Sequence, residues 1–153
     1  RDGKILSWGV SNFDGEELAE LWATPDGRNV ACNQVLYHLD ERAIEHAVLP
    51  WCEERGVAVV AYSPFGHNQF PSEHTPAGRV LQAVAARHGA TPRQIALAFL
   101  LRHESVLAVP KSSKVTHVRD NAAAAAIALT ADDLADLDTA FPRGDKPASL
   151  HTI

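Results

Sequence analysis

Hydrophobic positions along the chain alternate between short continuous runs and longer patterns of helical spacing. The runs are rich in β-branched and aromatic residues, as strands are, and cover residues 5–12, 30–39, 57–65 and 106–110. Helical spacing predicts helices that begin near residues 14, 42, 76, 92, 115 and 131. Strands that alternate with helices form parallel βαβ units with right-handed crossovers, so the sequence predicts an α/β fold with four strands, each followed by helix.

Polar residues mark where several of these helices begin. Asp14 with Glu17, and Thr91 with Gln94, have the spacing of a capping box, in which two side chains satisfy free backbone N–H groups at the helix start. Thr130 precedes the last helix as a further N-cap residue. The helix boundaries therefore rest on local chemistry as well as on periodicity.

Of two features that bear on the type of sheet, the first is compatible with a barrel interior or a second helix layer, and the second favours a barrel over a doubly wound sheet. Residues 57–61 are apolar at consecutive positions, as expected for a parallel strand with both faces covered. No GxGxxG sequence follows any of the four runs, so the dinucleotide fingerprint of the doubly wound fold is absent. The parallel (β/α) units are therefore expected to belong to a TIM-type barrel.

Every predicted strand ends in polar or turn-forming residues. These are residues 11–12, 34–37, 62–64 and 111–113. The carboxyl ends of barrel strands converge on one mouth, where the ligand sites of such folds lie. The same residue types also populate ordinary turns, so from the pattern alone a ligand site and a plain loop cluster stand as equal alternatives.

The segment 110–119 is basic in an otherwise acidic chain. It contains Lys111, Lys114, His117 and Arg119 and no acidic residue. A strand-to-helix turn adds unpaired backbone N–H groups and the positive end of a helix dipole to these cations. The segment therefore favours an anion site, most simply for a phosphate group, and the alternative is a solvated helix face.

Composition places the chain among ordinary globular proteins. Its 153 residues are enough for one domain with a sizeable core, and its 46% hydrophobic and 22% charged residues are typical values. A net charge of −5 argues against a general nucleic-acid binder. The longest apolar run, residues 122–129, is far shorter than the ~18 residues of a membrane span, so a cytoplasmic location is expected.

The cysteines, the histidines and the start of the chain add three expectations. Cys32 and Cys52 lack CxxC spacing and are expected to be free, buried thiols, with a disulfide or a metal site as the alternative. No metal site is predicted, because no carboxylate or cysteine lies at ligand spacing from the histidines on helices or strand ends. The chain begins Arg-Asp-Gly-Lys and has no methionine, so we expect that an N-terminal portion has been removed.

Five sequence blocks carry a resemblance to a known family. They are WGVSNF (8–13), NQVLYH (33–38), LPWCEERGVAVVAYSPFG (49–66), TPRQIALAFLL (91–101) and VPKSSKVTHVRDN (109–121). In this order they resemble the C-terminal half of an aldo-keto reductase. The resemblance implies that residues 1–153 form a single half-barrel with strands five to eight of the family's eight, followed by an irregular tail over residues 142–153.

The resemblance also implies a bound NADP(H) that lies across the barrel mouth. Ser11, Asn12 and Gln34 are expected to hold the nicotinamide carboxamide, and Tyr62 is expected to stack on the nicotinamide ring. The residues implied at the pyrophosphate are Ser63, Pro64, Phe65 and Gly66.

At the adenosine end the match to the family is less complete. The residues implied there are Lys111, Ser112, Ser113, Asp120 and Asn121. Lys111 and Ser112 are expected to meet the phosphate on the adenosine ribose, with Ser113 beside them, while Asp120 and Asn121 approach adenine. His117 stands where many members have an arginine, and a histidine lacks the bidentate fork. NAD(H) is therefore kept as an alternative cofactor.

The family's catalytic tetrad of aspartate, tyrosine, lysine and histidine comes from the first four strands, and none of its motifs is present. Tyr37 and Tyr62 are the only tyrosines, and we expect Tyr37 to be a packing residue. Carbonyl reduction needs a proton donor, so the chain is expected to be the inactive, cofactor-binding half of an NAD(P)H-dependent oxidoreductase of aldehydes or ketones. The alternative is a non-catalytic, nucleotide-binding half-barrel that assembles with a second copy of itself or with a separate partner chain.

Overall fold

The computed structural model describes residues 3–153, and Arg1 and Asp2 of the predicted half-barrel lie outside the described residues. The strands of this part are Trp8–Ser11 (β1), Val30–Leu36 (β2), Ala58–Tyr62 (β3) and Val106–Ala108 (β4). Its α-helices are Gly15–Trp22 (α1), Val48–Arg55 (α2), Pro76–Arg87 (α3), Pro92–Leu100 (α4), Val115–Ala123 (α5) and Ala131–Ala140 (α6). Short 3₁₀ helices cover Gly27–Asn29, Ala43–His46 and Ala124–Ala126.

The four strands form one parallel sheet in the order β1-β2-β3-β4. Sequential strands are therefore neighbours, which is the arrangement of a barrel wall and not of a doubly wound sheet. Ser11 pairs with Gln34, Gln34 with Val60 and Val60 with Leu107, so these four residues run across the sheet in one row. The predicted α/β fold of parallel strands and helices is confirmed.

The two faces of the sheet differ in exposure. Val35, Val59 and Val106 point to one face and are buried in the main hydrophobic core, which also contains residues of α2, α3 and α4. On the other face, Gln34 is exposed and Leu107 is 58% exposed. The expectation that both faces of the third strand are covered holds fully on one face only, because Val59 and Ala61 are buried whereas Ala58, Val60 and Tyr62 on the other face are half-buried.

Several element boundaries differ from the sequence prediction. β1 begins at Trp8, since Ile5 and Leu6 are exposed and unpaired with the sheet, and β3 ends at Tyr62 because Ser63 has a φ of 49°. The helix predicted over residues 42–55 is divided at Ala47, whose φ and ψ of −147° and −48° are not helical. Residues 142–153 contain neither helix nor strand.

The predicted helix caps are present. Asp14 and Glu17 form a capping box at α1, and Thr91 and Gln94 form one at α4. Thr130 caps α6, where Asp133 completes a further box. In residues 3–153 no helix has both the length and the apolar character that crossing a membrane requires.

A buried charged cluster joins the end of β2 to the segments that follow α4 and α6. The Glu45 carboxylate accepts hydrogen bonds from the Tyr37 hydroxyl at 2.6 Å, from Arg42 at 2.8 and 3.0 Å, and from Arg102 at 2.9 Å. Arg42 also donates to the carbonyl oxygen of Phe141 at 2.7 Å. Burial opposes the charge of Glu45, but these hydrogen bonds outweigh it and lower its pKa to about 2.

Both cysteines are free thiols, as predicted, but only Cys52 is buried and Cys32 is half-buried. Cys32 lies on β2, and Cys52 lies in α2 within the main core. Burial raises the pKa of the Cys52 thiol to about 12, so this thiol stays protonated and packs as a small apolar group.

Candidate functional site

The carboxyl ends of β1, β2 and β3 bring four of the predicted residues together. The backbone N–H of Asn12 and the hydroxyl of Ser11 donate to the Gln34 carbonyl oxygen at 2.8 and 3.0 Å. The Tyr62 hydroxyl donates to the Asn12 side-chain oxygen at 3.1 Å. We call these four residues the rim group. They are half-buried or exposed, so their side chains lie at the edge of the sheet where a ligand can reach them.

The backbone is left-handed at two of the strand ends. Asn12 has a φ of 60° and Ser63 a φ of 49°. Asparagine tolerates this region better than most residues, whereas serine there carries strain that the surrounding structure must support. Strained residues of this kind occur often at binding sites, and here they turn the chain away from the sheet at the same edge.

The loop after β3 folds back on itself. The N–H of Gly66 donates to the Ser63 carbonyl oxygen at 2.9 Å, and Gly66 has a φ of 72° that favours glycine. The rings of Phe65 and Phe70 meet edge to face with centroids 6.0 Å apart. This aromatic contact joins the beginning of the loop to the segment that contains Phe70. Pro64 is buried.

A cavity of about 770 Å³ lies beside this loop. It is formed by the loop after β3, by α3, by the start of α4, by the turn before α5 and by α5 itself. The predicted residues that line it are Phe65, Lys111, His117, Asp120 and Asn121. A pocket of this volume is within the range that accommodates a small-molecule ligand or part of a cofactor. We call it the α4–α5 cavity.

The turn between β4 and α5 is built by Ser112. Its hydroxyl accepts from the N–H of Lys114 at 3.2 Å and donates to the Lys114 carbonyl oxygen at 3.1 Å. The first turn of α5 contains no acidic residue. The side chain of Gln94 donates to the Asp120 carbonyl oxygen at 3.1 Å, which fastens the start of α4 to α5.

The structure thus separates the predicted residues into two adjacent groups. The rim group does not line the α4–α5 cavity, but residues 62–65 run continuously from Tyr62 of the rim to Phe65 of the cavity. Ser113 is exposed beyond the Ser112 turn and is not part of the cavity lining. An extended ligand could therefore contact both groups along one edge of the molecule.

Arg93 and Phe70 also line the cavity, and the sequence pattern did not single them out. The guanidinium carbon of Arg93 lies 4.5 Å from the centroid of the Phe70 ring and 5.5 Å from that of Phe65. The signal that could have found Arg93 is an arginine directly after a Thr-Pro cap, where the helix dipole disfavours a cation.

Tyr37 is a packing residue, as predicted. Its side chain is fully buried, and its hydroxyl both donates to Glu45 and accepts from Arg102. Burial raises its pKa. Among the described residues, four histidines have carboxylate partners, which are His74 with Glu73, His88 with Asp133, His103 with Glu53 and His151 with Glu41. Residues 3–153 contain no cluster of three potential metal ligands of the His, Cys, Asp and Glu types.

Comparison with known proteins identifies relatives of the whole chain. The model of the Aldo/keto reductase family matches residues 1–141. Methylglyoxal reductase YeaE from Escherichia coli is 41% identical over 151 residues, which are 99% of this chain and 53% of that protein. Pyridoxine 4-dehydrogenase, also from Escherichia coli, is 34% identical and matches 90% of this chain and 46% of its own length.

Solved structures give the same result. An aldo-keto reductase from Klebsiella pneumoniae in complex with NADPH superimposes with a TM-score of 0.89 at 40% sequence identity. That match covers 99% of this chain and 54% of the other. A second structure from Klebsiella pneumoniae, in complex with NADP and acetate, also has a TM-score of 0.89 at 39% identity. The chain therefore spans about half the length of the relatives it matches.

Proposed function

Since the chain belongs to the aldo/keto reductase family, we propose that it is the cofactor-binding half of an NAD(P)H-dependent reductase of aldehydes or ketones. The observation that carries this proposal is the α4–α5 cavity, where the loop after β3 meets the turn after β4 and Phe65 faces the same space as Lys111. The NADPH and NADP named with the two Klebsiella pneumoniae structures support the choice of ligand.

Each group of residues has a role in this proposal. Ser11, Asn12 and Gln34 hold the nicotinamide carboxamide, and the Tyr62 ring stacks on the nicotinamide while its hydroxyl remains bonded to Asn12. The segment 63–66 lines the pyrophosphate. When bound, the reduced dinucleotide would supply the hydride for carbonyl reduction.

The adenosine end is assigned to the α4–α5 cavity. Lys111 and Ser112 bind the ribose phosphate, with Ser113 beside them, and Asp120 and Asn121 contact adenine. A lysine on a phosphate makes a charge-assisted contact that is stronger than a neutral hydrogen bond. NADP(H) is the expected cofactor. NAD(H) remains the alternative, because His117 lacks the bidentate fork of an arginine.

We assign the proton donor of the reaction to polypeptide outside this chain. The Tyr62 hydroxyl donates a hydrogen bond to Asn12 of the rim group, and the Tyr37 hydroxyl is buried where it donates to Glu45. In this proposal neither phenol protonates the carbonyl oxygen. In this proposal an N-terminal half, or a second copy of the chain, covers the exposed sheet face and completes the barrel. The exposed Leu107 on that face favours such a partner.

Methylglyoxal is the first substrate to test, because the relative with 41% identity is a methylglyoxal reductase. NADPH is titrated into the chain while tryptophan fluorescence is followed, and turnover is measured from the absorbance of the reduced cofactor. Saturable NADPH binding without turnover is the expected result. Absence of NADPH binding would contradict the cofactor role, and turnover by the chain alone would contradict the assignment of the proton donor elsewhere.

A further inference from the structure

Arg93 is exposed at the wall of the α4–α5 cavity and contacts two aromatic rings there. Its guanidinium carbon is 4.5 Å from the centroid of the Phe70 ring and 5.5 Å from that of Phe65. These rings pack edge to face at an interplanar angle of 82°. Contact between a guanidinium and aromatic rings is favourable and limits the movement of a long side chain. The charge of Arg93 is therefore held beside the cavity before any ligand arrives.

The fold does not otherwise satisfy this charge. Among the described residues no carboxylate lies within ion-pair distance of Arg93. Arg93 also lies in the first turn of α4, where the helix dipole disfavours a cation, and that turn contains no acidic residue. A residue that contradicts a local stability rule in this way is often a functional one.

The charged residues that line the cavity show why Arg93 matters for binding a phosphate there. The lining contains two fixed cations, Arg93 and Lys111, and two carboxylates, Glu73 and Asp120. Without Arg93, the carboxylates would outnumber the fixed cations. A phosphate would then enter a region in which the fixed charges of Lys111, Glu73 and Asp120 sum to a negative value.

We propose that Arg93 is a specificity-determining residue that binds the phosphate on the adenosine ribose and so favours NADPH over NADH. This inference rests on the proposed cofactor role. The planar guanidinium can donate two hydrogen bonds to phosphate oxygens while one of its faces stays on the Phe70 ring. In this arrangement Arg93 supplies the bidentate contact that position 117 lacks.

A purely structural role for Arg93 would be to support Phe65 and Phe70, and two substitutions separate the roles. Arg93→Met keeps a long side chain that can pack on the aromatic rings but removes the charge. Arg93→Lys keeps the charge but loses the planar fork. Arg28→Met is the matched control, since Arg28 is exposed in the 3₁₀ helix that precedes β2, at the amino end of the strands.

The test is a calorimetric titration of wild type and the three variants with NADPH and with NADH. Arg93→Met is expected to weaken NADPH binding about tenfold or more and NADH binding less than about twofold. Arg93→Lys should retain part of the NADPH preference, and Arg28→Met should match wild type for both cofactors.

The results distinguish failure of the inference from failure of the proposed function. An equal loss for NADPH and NADH in Arg93→Met would mean that Arg93 only packs the loop or contacts the shared pyrophosphate, and would overturn the inference. Unchanged NADPH binding in this variant would also overturn it. If wild type binds neither cofactor, the proposed function fails and the inference fails with it.

Discussion

Lys111 offers the most direct test of the phosphate assignment at the scale of a single residue. It lines the α4–α5 cavity on the turn after β4 and makes no ion pair among the described residues. Lys111→Ala is expected to weaken NADPH binding about tenfold, because a charge-assisted contact is lost. NADH binding should change much less, as fluorescence titration of both cofactors will show.

Lys146→Ala is the control for this substitution, because Lys146 lies in the irregular segment 142–153 and not beside the cavity. It should leave both affinities unchanged. An equal loss of NADPH and NADH affinity in Lys111→Ala would contradict the assignment of the ribose phosphate to Lys111.

Glu45 determines part of the pH dependence of stability. Its carboxylate has a pKa of about 2 in the folded chain, against an ordinary value of 4.5. The unfolded chain therefore binds the proton first as the pH falls, which favours unfolding. The stabilising contribution of Glu45 is complete above about pH 4.5 and is lost as the pH falls towards 2. Asp133, whose pKa is also about 2, adds to this loss.

Glu45→Gln is expected to lower the free energy of unfolding at pH 7 by about 3 kcal/mol, because Arg42 and Arg102 lose their buried partner. The difference from wild type should narrow as the pH falls from 4.5 to 2. Urea unfolding at several pH values measures both effects. Glu54→Gln is the exposed control, and a difference from wild type that stays constant with pH would contradict this account.

At the scale of elements, the cap of α4 supports both stability and the cavity. The Thr91 hydroxyl accepts from the N–H of Gln94, and Gln94 also bonds to the Asp120 carbonyl oxygen. Thr91→Ala is expected to lower the free energy of unfolding by about 1 kcal/mol, which is the usual contribution of an N-cap side chain. Thermal unfolding should show this as a lower Tm, while Thr139→Ala, a non-cap threonine in α6, should have a smaller effect. Equal effects of the two substitutions would contradict the role of the cap.

The elements could be predicted from sequence wherever their signals are local. Asp14, Thr91 and Thr130 mark helix starts because the capping bonds join residues only three positions apart. The break at Ala47 has no such signal, since alanine favours a helix and its conformation depends on the surrounding packing. Likewise, Ile5 and Leu6 have strand-forming character, but no neighbouring strand pairs with them.

The residues of the candidate site also divide into those with a local sequence signal and those without one. Lys111, Lys114 and Arg119 lie in one short segment without acidic residues, so residue types and their order are enough to predict an anion site there. Arg93 is identified as a candidate residue by its contact with Phe70, which is 23 positions earlier in the chain. A contact of this kind depends on how α4 packs against the loop after β3, and sequence spacing does not show it.

At the scale of the whole molecule, the exposed sheet face predicts association. Leu107 is 58% exposed on β4, which is an outer strand of the parallel sheet. Apolar residues on an open edge strand favour pairing with another surface. Leu107→Lys is therefore expected to reduce self-association of the chain, as measured by sedimentation velocity.

Leu6→Lys is the control for this prediction, because Leu6 is an exposed leucine that precedes β1 and lies outside the sheet. It should reduce association less than Leu107→Lys. An equal effect of the two substitutions would mean that general surface charge, and not the sheet face, governs association.

In the proposed function, the end of β3 and the turn after β4 bind one dinucleotide together. Hydrogen exchange of the chain with increasing NADPH tests it most directly, with residues 62–66 and 111–114 followed as separate segments and residues 27–29 as the reference. Both segments should gain protection over the same range of NADPH concentration, while the reference stays unchanged. Protection of only one segment, or of neither, would contradict the account.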